Sequence, residues 1–202
     1  PAAALEGTVF RSADLRVANL RWTDLEDSNL LGADLSGAQL FEAKMTNAVL
    51  TNANMEGARL ESVDLAGAVL RDARMSDTVL NGATLRKADL YSADLRRCDL
   101  RGADLDGANL LGARLDGAVY DEETVFPAGF DAAEHAMCLL GPDAELQRVD
   151  LSGFEFRGAD LSRANLSRCK LMGADLRGAD LSGADLTGAR LRGALYDTET
   201  TF

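Results

Sequence analysis

The chain has 202 residues, 47% of them apolar, and a formal net charge of −12 from 33 acidic and 21 basic side chains. That balance excludes a protein that holds nucleic acid through its phosphates, which needs clustered Lys and Arg, and it sets the whole molecule against an acidic partner. No run of about 18 apolar residues occurs, so no membrane-spanning helix is predicted.

From Leu5 to Tyr120 every fifth position is Leu, Met, Phe or Tyr, giving 24 consecutive pentads. Two residues before each of them stands Ala in 18 cases, and otherwise Thr, Ser, Val or Cys. Residues two apart on an extended segment face the same side, so the small and the large residue share one buried face. Of the 19 glycines, 17 fall two positions after the large residue, where a corner needs positive φ. The three prolines lie outside the arrays. A helix is excluded, because a period of five smears the leucines around a turn of about 3.6 residues. Cys98 and Cys169 occupy the small inward slot, where a thiol acts as a small hydrophobe, and all three cysteines, Cys138 included, are expected to be reduced.

The phrases ADLSG (33–37), ANLLG (108–112), ADLRG (174–178) and ADLTG (184–188) carry an A-(D/N)-L-x-x motif that resembles the pentapeptide repeat family. The resemblance implies an all-β chain folded as a right-handed quadrilateral β-helix, four pentads to a coil, with the small and large residues inside. Residues 1–122 then form a first array of about six coils, 123–143 an insert, and 144–202 a second array of 11 pentads, nearly three coils. If the arrays stack continuously, their pentads span on the order of 40 Å at about 4.8 Å per coil.

Within the insert, Asp131 as N-cap, Glu134 three residues later and Gly141-Pro142 as a stop predict a short α-helix over 131–140. The pentads resume at Leu146 with the phase shifted by one. Phe154 and Phe156 then fill both inward slots of one pentad, which predicts a widened core. Tyr196 to Phe202 repeats the phrase Tyr120 to Phe126, and that phrase resembles the one closing arrays in cyanobacterial family members. The second copy stops before its proline, so the native chain is expected to continue past Phe202. A start at Pro1 likewise leaves room for a removed native start or leader.

In a 20-residue coil the departures from the motif pair up: Met55 with Met75, Thr8 with Ser28, Thr78 with Cys98. The same register stacks Leu60, Leu80, Leu100, Leu105, Leu110 and Leu115 in the core of the first array, and Leu176, Leu181 and Leu186 in that of the second. Outward, Val9, Val49 and Val69 share one side with Leu31, Tyr91 and Leu111, while Asp24, Asp64 and Asp104 mark an acidic side. Trp22 and Phe41 project from consecutive coils of another. These eight apolar and aromatic residues are the candidate interface.

No convergent nucleophile, acid and base is in view, so an enzyme is not expected. His135 beside Glu134 reads as a packing or surface residue, and one His with three scattered Cys gives no zinc spacing. No cofactor or metal is expected; Asp and Asn before the large residue read as solvated positions rather than calcium ligands. Outward Arg16, Arg96, Arg101 and Arg192 are expected to offset acids stacked on neighbouring coils. The sequence points to a non-enzymatic scaffold for an unknown protein partner or a second copy of itself. The alternative is an acidic DNA mimic that binds a type II topoisomerase, as the resemblance to the quinolone-resistance members suggests. The cytoplasm is the expected compartment, with the thylakoid lumen or periplasm if a leader is removed.

Overall fold

The computed structural model describes residues 3–202 and divides into two units, Pro1–Met137 and Cys138–Phe202. The pentad around Leu35 shows how the motif becomes structure. The Leu35 N–H donates to the Asn54 carbonyl of the next coil at 2.6 Å, the Gly37 N–H to that of Glu56 at 3.0 Å, and the Gln39 N–H to Ala18 of the previous coil at 2.9 Å. The Ala38 N–H closes the corner onto the Leu35 carbonyl at 2.9 Å. One N–H is left, that of Ser36, and the Asp34 carboxylate accepts it at 3.0 Å. All five donors are thus satisfied, as a packed backbone requires.

The same side-chain cap recurs from Asp14 to Arg16, Asp24 to Glu26, Asn54 to Glu56, Asp64 to Ala66, Asn109 to Leu111 and Asp160 to Ser162. This corrects the reading of Asp and Asn as merely solvated: the residue before the large one completes the backbone hydrogen bonding of its own pentad.

In the first unit, parallel bridges at intervals of 20 residues form four ladders. One runs Val9–Asn29–Val49–Val69–Asp89–Asn109, a second Asn19–Gln39–Arg59–Val79–Asp99–Val119, and the others begin at Ala4 and Asp14. Four pentads therefore make one coil, and the helix has four walls. Inside, Leu60, Leu80, Leu100 and Leu105 are fully buried, Leu115 nearly so, and Leu110 is 8% exposed. Thr78 and Cys98, both buried in the small slot, meet at 3.0 Å across 20 residues. Both also hydrogen-bond the Met75 carbonyl, so each departure from Ala brings its own partner.

The corners need a left-handed residue two positions after the large one. Where Gly is absent the site is taken mostly by Asn, Asp, Ser or a long cation, including Asp27, Asn47, Asn52, Ser62 and Arg97, with φ between 55° and 57°. Val17 and Trp22 hold the same conformation, at φ 57° and 58°. For an L residue that region costs roughly 1–2 kcal/mol.

The first array closes through Tyr120–Phe126. The Asp121 carboxylate takes the Gly102 N–H at 2.9 Å, a bond the other coils make with a backbone carbonyl. The ladder then skips one residue, with Asp104 bridging Val125. Tyr120 meets Phe126 edge-on at 5.3 Å, Phe126 stacks on Phe130 at 4.9 Å, and Phe130 stacks on His135 at 4.6 Å.

The α-helix expected over 131–140 is not formed. Asp131 caps as anticipated, accepting from the Ala133 N–H, but only a 3₁₀ turn, Ala132–His135, follows. Ala136 turns left-handed at φ 51°, its carbonyl accepts from Gly117, and Cys138–Leu139 is extended. A coil partner for Ala136 outweighs one more turn of a helix too short to stand alone.

In the second unit the 20-residue ladders reappear, Glu145–Asn165–Asp185 and Asp150–Lys170–Arg190 among them. Leu176 and Leu181 are buried and Leu186 is half-buried. Phe154 and Phe156 are both buried and stack at 5.9 Å while the Glu155–Asp175 bridge keeps its interval. Tyr196–Phe202 reproduces the earlier closure: Asp197 accepts from the Gly178 N–H at 3.0 Å, and Tyr196 meets Phe202 edge-on at 6.0 Å. All three cysteines are free thiols, and burial pushes that of Cys98 up to about 12.

Replacing Leu60 with Ala should cost about 2–5 kcal/mol, and Leu105→Asp more, because it buries an unpaired charge. Asp64→Ala should cost about 1 kcal/mol by exposing the Ala66 N–H without a partner. Thermal melts rank the three, and an Asp64→Ala melt equal to wild type would refute the capping role.

Candidate interaction faces

The ladder through Val9 sets the first face. Position 9, 49 and 69 side chains lie on one wall because their backbones bridge at the 20-residue interval. Leu31, Tyr91 and Leu111 occupy the neighbouring column, joined by bonds such as that from the Ser92 N–H to the Leu111 carbonyl at 3.0 Å. Val9 is 68% exposed and Leu111 70%, whereas Leu31, Val49 and Val69 are half-buried between their stacked neighbours. The wall is not uniformly apolar. Arg71 reaches Asp89 at 3.3 Å and lies over the Tyr91 ring at 4.8 Å, and Asn109 donates to Asp89 at 2.9 Å.

The wall carrying Asp24, Asp64 and Asp104 is less acidic than its sequence suggests. Lys44 and Thr84 share the ladder, and Arg86 donates to both Asp104 and Asp106. The arginines correct another expectation. Arg16, Arg96 and Arg101 pair with the aspartate two residues earlier in the same coil, Asp14, Asp94 and Asp99. Both side chains flank one inward leucine and project together, which brings the local pair within bonding distance. Arg192 pairs with no carboxylate among the described residues. Cross-coil pairs are made instead by Arg97 with Asp77, Arg163 with Asp143 and Lys170 with Asp150.

The caps also hold their carboxyls ionised. The Ser36 N–H keeps Asp34 below the usual range, and the Asp106 N–H does so for Asp104. The Thr201 hydroxyl, then Ser182, hold Asp180 at about 2, and the Arg16 guanidinium holds Asp14 at about 2.

Trp22 and Phe41 define a third feature, on the wall of the Asn19–Gln39–Arg59 ladder. Their rings meet edge-on at 6.1 Å, and Trp22 is 56% exposed while Phe41 is half-buried. Beside them Arg21, Gln39, Phe41, Arg59 and Glu61 line an open groove of about 500 Å³. Arg59 donates to Glu61 Oε1, and Glu61 Oε2 is buried. Sequence reasoning found the two aromatics but not the groove. The signal was present in the columns 19, 39, 59 and 21, 41, 61, which interrupt the Asp or Asn motif with Gln39 and Arg59 on consecutive coils.

His135 is spent in the stack on Phe130. Among the described residues no group of three or more His, Cys, Asp or Glu side chains could hold a metal ion, and no helix is long and apolar enough to cross a membrane.

The sequence profile of pentapeptide repeats, in 8 copies, matches residues 2–32, 18–57, 58–97, 83–119, 143–178 and 159–195. The chain belongs to the pentapeptide repeat family. The family fold is the right-handed β-helix. HetL of the cyanobacterium Nostoc sp. strain PCC 7120, a pentapeptide repeat protein involved in heterocyst differentiation regulation, is 33% identical, covering 95% of this chain and 84% of its own, with a TM-score of 0.51. The pentapeptide repeat protein alr5209 of Nostoc PCC 7120 is 34% identical, covering 65% of this chain and 84% of its own, with a TM-score of 0.33. QnrB1, a plasmid-mediated fluoroquinolone resistance protein, is 20% identical, covering 98% and 92%, with a TM-score of 0.38. No curated protein matches the chain in sequence.

As a pentapeptide repeat protein whose caps depend on carboxylates, the chain should be acid-sensitive in a definite window. A carboxyl held below its unfolded value of about 3.9 adds stability that is complete above that value and is lost as the pH falls through the folded one. The melting temperature should therefore hold above about pH 4 and fall towards the folded value of about 2 at Asp14 and Asp180. Asp180→Asn should blunt that fall. A wild-type melt that stays flat to the acid end of the window would contradict the capping account.

Proposed function

We propose that this pentapeptide repeat protein is a non-enzymatic scaffold that presents flat β-helix walls to a protein partner or to a second copy of itself. The observation that supports this most is the run of outward apolar residues on adjoining columns of one wall, Val9, Val49, Val69, Leu31, Tyr91 and Leu111, in a chain whose other outward positions are mostly polar. Such a side chain contributes little to the coil while it faces water, and burying it against a partner would contribute about 25 cal/mol per Å². A role for HetL in regulating differentiation is consistent with binding rather than catalysis in this family.

The topoisomerase-mimic reading draws on the acidic first unit, where 23 carboxylates face 13 cations. Against it, many of those carboxylates are engaged by their own backbone or by arginines in the same coil, so the negative field is broken into pairs. A supercoiling assay with DNA gyrase separates the two: the scaffold reading expects no inhibition.

The double substitution Val49→Asp and Val69→Asp should leave the stability within about 1 kcal/mol of wild type, because both side chains face outward and two new backbone caps oppose the repulsion of carboxylates stacked on Asp89. It should abolish whatever wild type forms by light scattering or recovers in affinity capture. Unchanged association would remove this wall as the interface.

A further inference from the structure

We propose that the groove beside Trp22 binds an extended acidic segment of a partner protein, its carboxylate on the Arg21 guanidinium and a neighbouring apolar side chain against Trp22 and Phe41. The inference rests on the reading of the chain as a protein-binding scaffold and adds the chemistry of what is bound.

The donors of the groove are the first support. Arg21 is half-buried and, among the described residues, no carboxylate pairs with its guanidinium. Arg59, by contrast, is committed to Glu61. Because Gln39 and Arg59 stand where the motif puts Asp or Asn, no side chain caps the backbone N–H of Phe41 or of Glu61. Those groups occupy the place of the capped Ser36 N–H in the neighbouring pentad and open onto the same wall. Two free N–H groups, one free guanidinium and the Gln39 amide together ask for an acceptor, and a carboxylate fits the planar fork of arginine best.

The apolar posts are the second. Among the described residues Val17 and Trp22 are the only large apolar side chains at left-handed positions, at φ 57° and 58°, and they stand on the two edges of this wall. Val17 is 71% exposed and Trp22 56%. A strained backbone that carries an exposed indole adds nothing to the coil that Gly or Asn would not, and strain without stabilisation marks a recognition site. Under Val17 the corner column continues as Gly37 and Gly57, which have no side chain to wall off that edge.

Within the groove the Glu61 carboxylate is paired with Arg59, and the remaining negative charge of the first unit opposes an anion from a distance. At physiological salt the field is screened over about 8 Å, whereas contact with Arg21 is not. The local site therefore overrides the expectation drawn from net charge.

Trp22 is the only tryptophan, so its emission reports this groove alone. The probe is the tripeptide Leu-Asp-Leu, acetylated and amidated, titrated against the full chain beside its Leu-Asn-Leu and Leu-Lys-Leu counterparts. The expected result is a saturable blue shift with the aspartate peptide, about tenfold weaker binding of the asparagine peptide and no saturation with the lysine peptide. Arg21→Gln should weaken binding about tenfold with an unchanged melt, while Arg11→Gln, on the opposite wall, should bind as wild type. Gln39→Asn should cap the Phe41 N–H, raising the melting temperature and weakening the peptide. The proposal is overturned by no saturable shift, by an equal response to the lysine peptide, or by an Arg21→Gln protein that binds as wild type. A shift that depends on protein concentration without peptide assigns the groove to a second copy and also overturns it. A Val49→Asp, Val69→Asp protein that keeps the Trp22 shift but loses its partner separates failure here from failure of the valine wall.

Discussion

Each pentad has five backbone N–H groups, and stacking coils can satisfy only four of them. Two reach the next coil, one reaches the previous coil and one closes the corner; the fifth, just after the inward large residue, projects outward. Asp or Asn two residues earlier is close enough to accept it without moving the chain, as Asp34 does for Ser36. The whole motif follows from that constraint and from the core: a small and a large residue inside, a short acceptor before the large one, and a residue tolerant of positive φ at the corner. It is a local requirement repeated at every coil, so the fold is specified by the pentad rather than by distant contacts.

Period and residue class made the architecture readable from the text. Five does not match a helix, four pentads close a coil, and the pairing of Thr78 with Cys98 anticipates their contact across one coil. What escaped was set by side-chain reach. Asp and Asn look like ordinary surface residues until the geometry shows an N–H facing them. Arg16 and Arg96 could pair along the coil or across it, and only the shared outward direction of residues two apart decides for the former. The stretch 131–140 carries real helix signals, and its 3₁₀ turn at Ala132–His135 obeys the first of them. The remainder is taken by Ala136 serving as a coil carbonyl for Gly117, a tertiary demand that no local pattern announces.

The two closing phrases show how a β-helix changes phase without stranding a donor. At Tyr120–Phe126 and again at Tyr196–Phe202 an extra residue enters the ladder, which would displace the carbonyl that Gly102 or Gly178 needs. The carboxylates of Asp121 and Asp197 stand in for it, and Thr124 and Thr200 return hydroxyls to the Leu100 and Leu176 carbonyls. That substitution explains why the same Asp and Thr spacing appears twice, and the aromatic stack through Phe126 and Phe130 explains why the single histidine is a packing residue.

The same constraint divides the surface. Wherever the residue before the large one is Asp or Asn, its side chain is bound to its own backbone and held in place by it. Where it is Val, Gln or Arg within the array, before the closing phrase, that side chain does not cap the outward N–H and can be chosen for another reason. Val49 and Val69 leave the N–H groups of Thr51 and Arg71 uncapped, and Gln39 and Arg59 leave those of Phe41 and Glu61. A hydrogen bond to solvent replaces one worth about 1 kcal/mol inside the protein, so each departure weakens the coil slightly. Departures stacked on consecutive coils of one wall repeat that loss side by side. On the proposed reading, a partner that buries the apolar stripe, or accepts from the uncapped donors, would recover it.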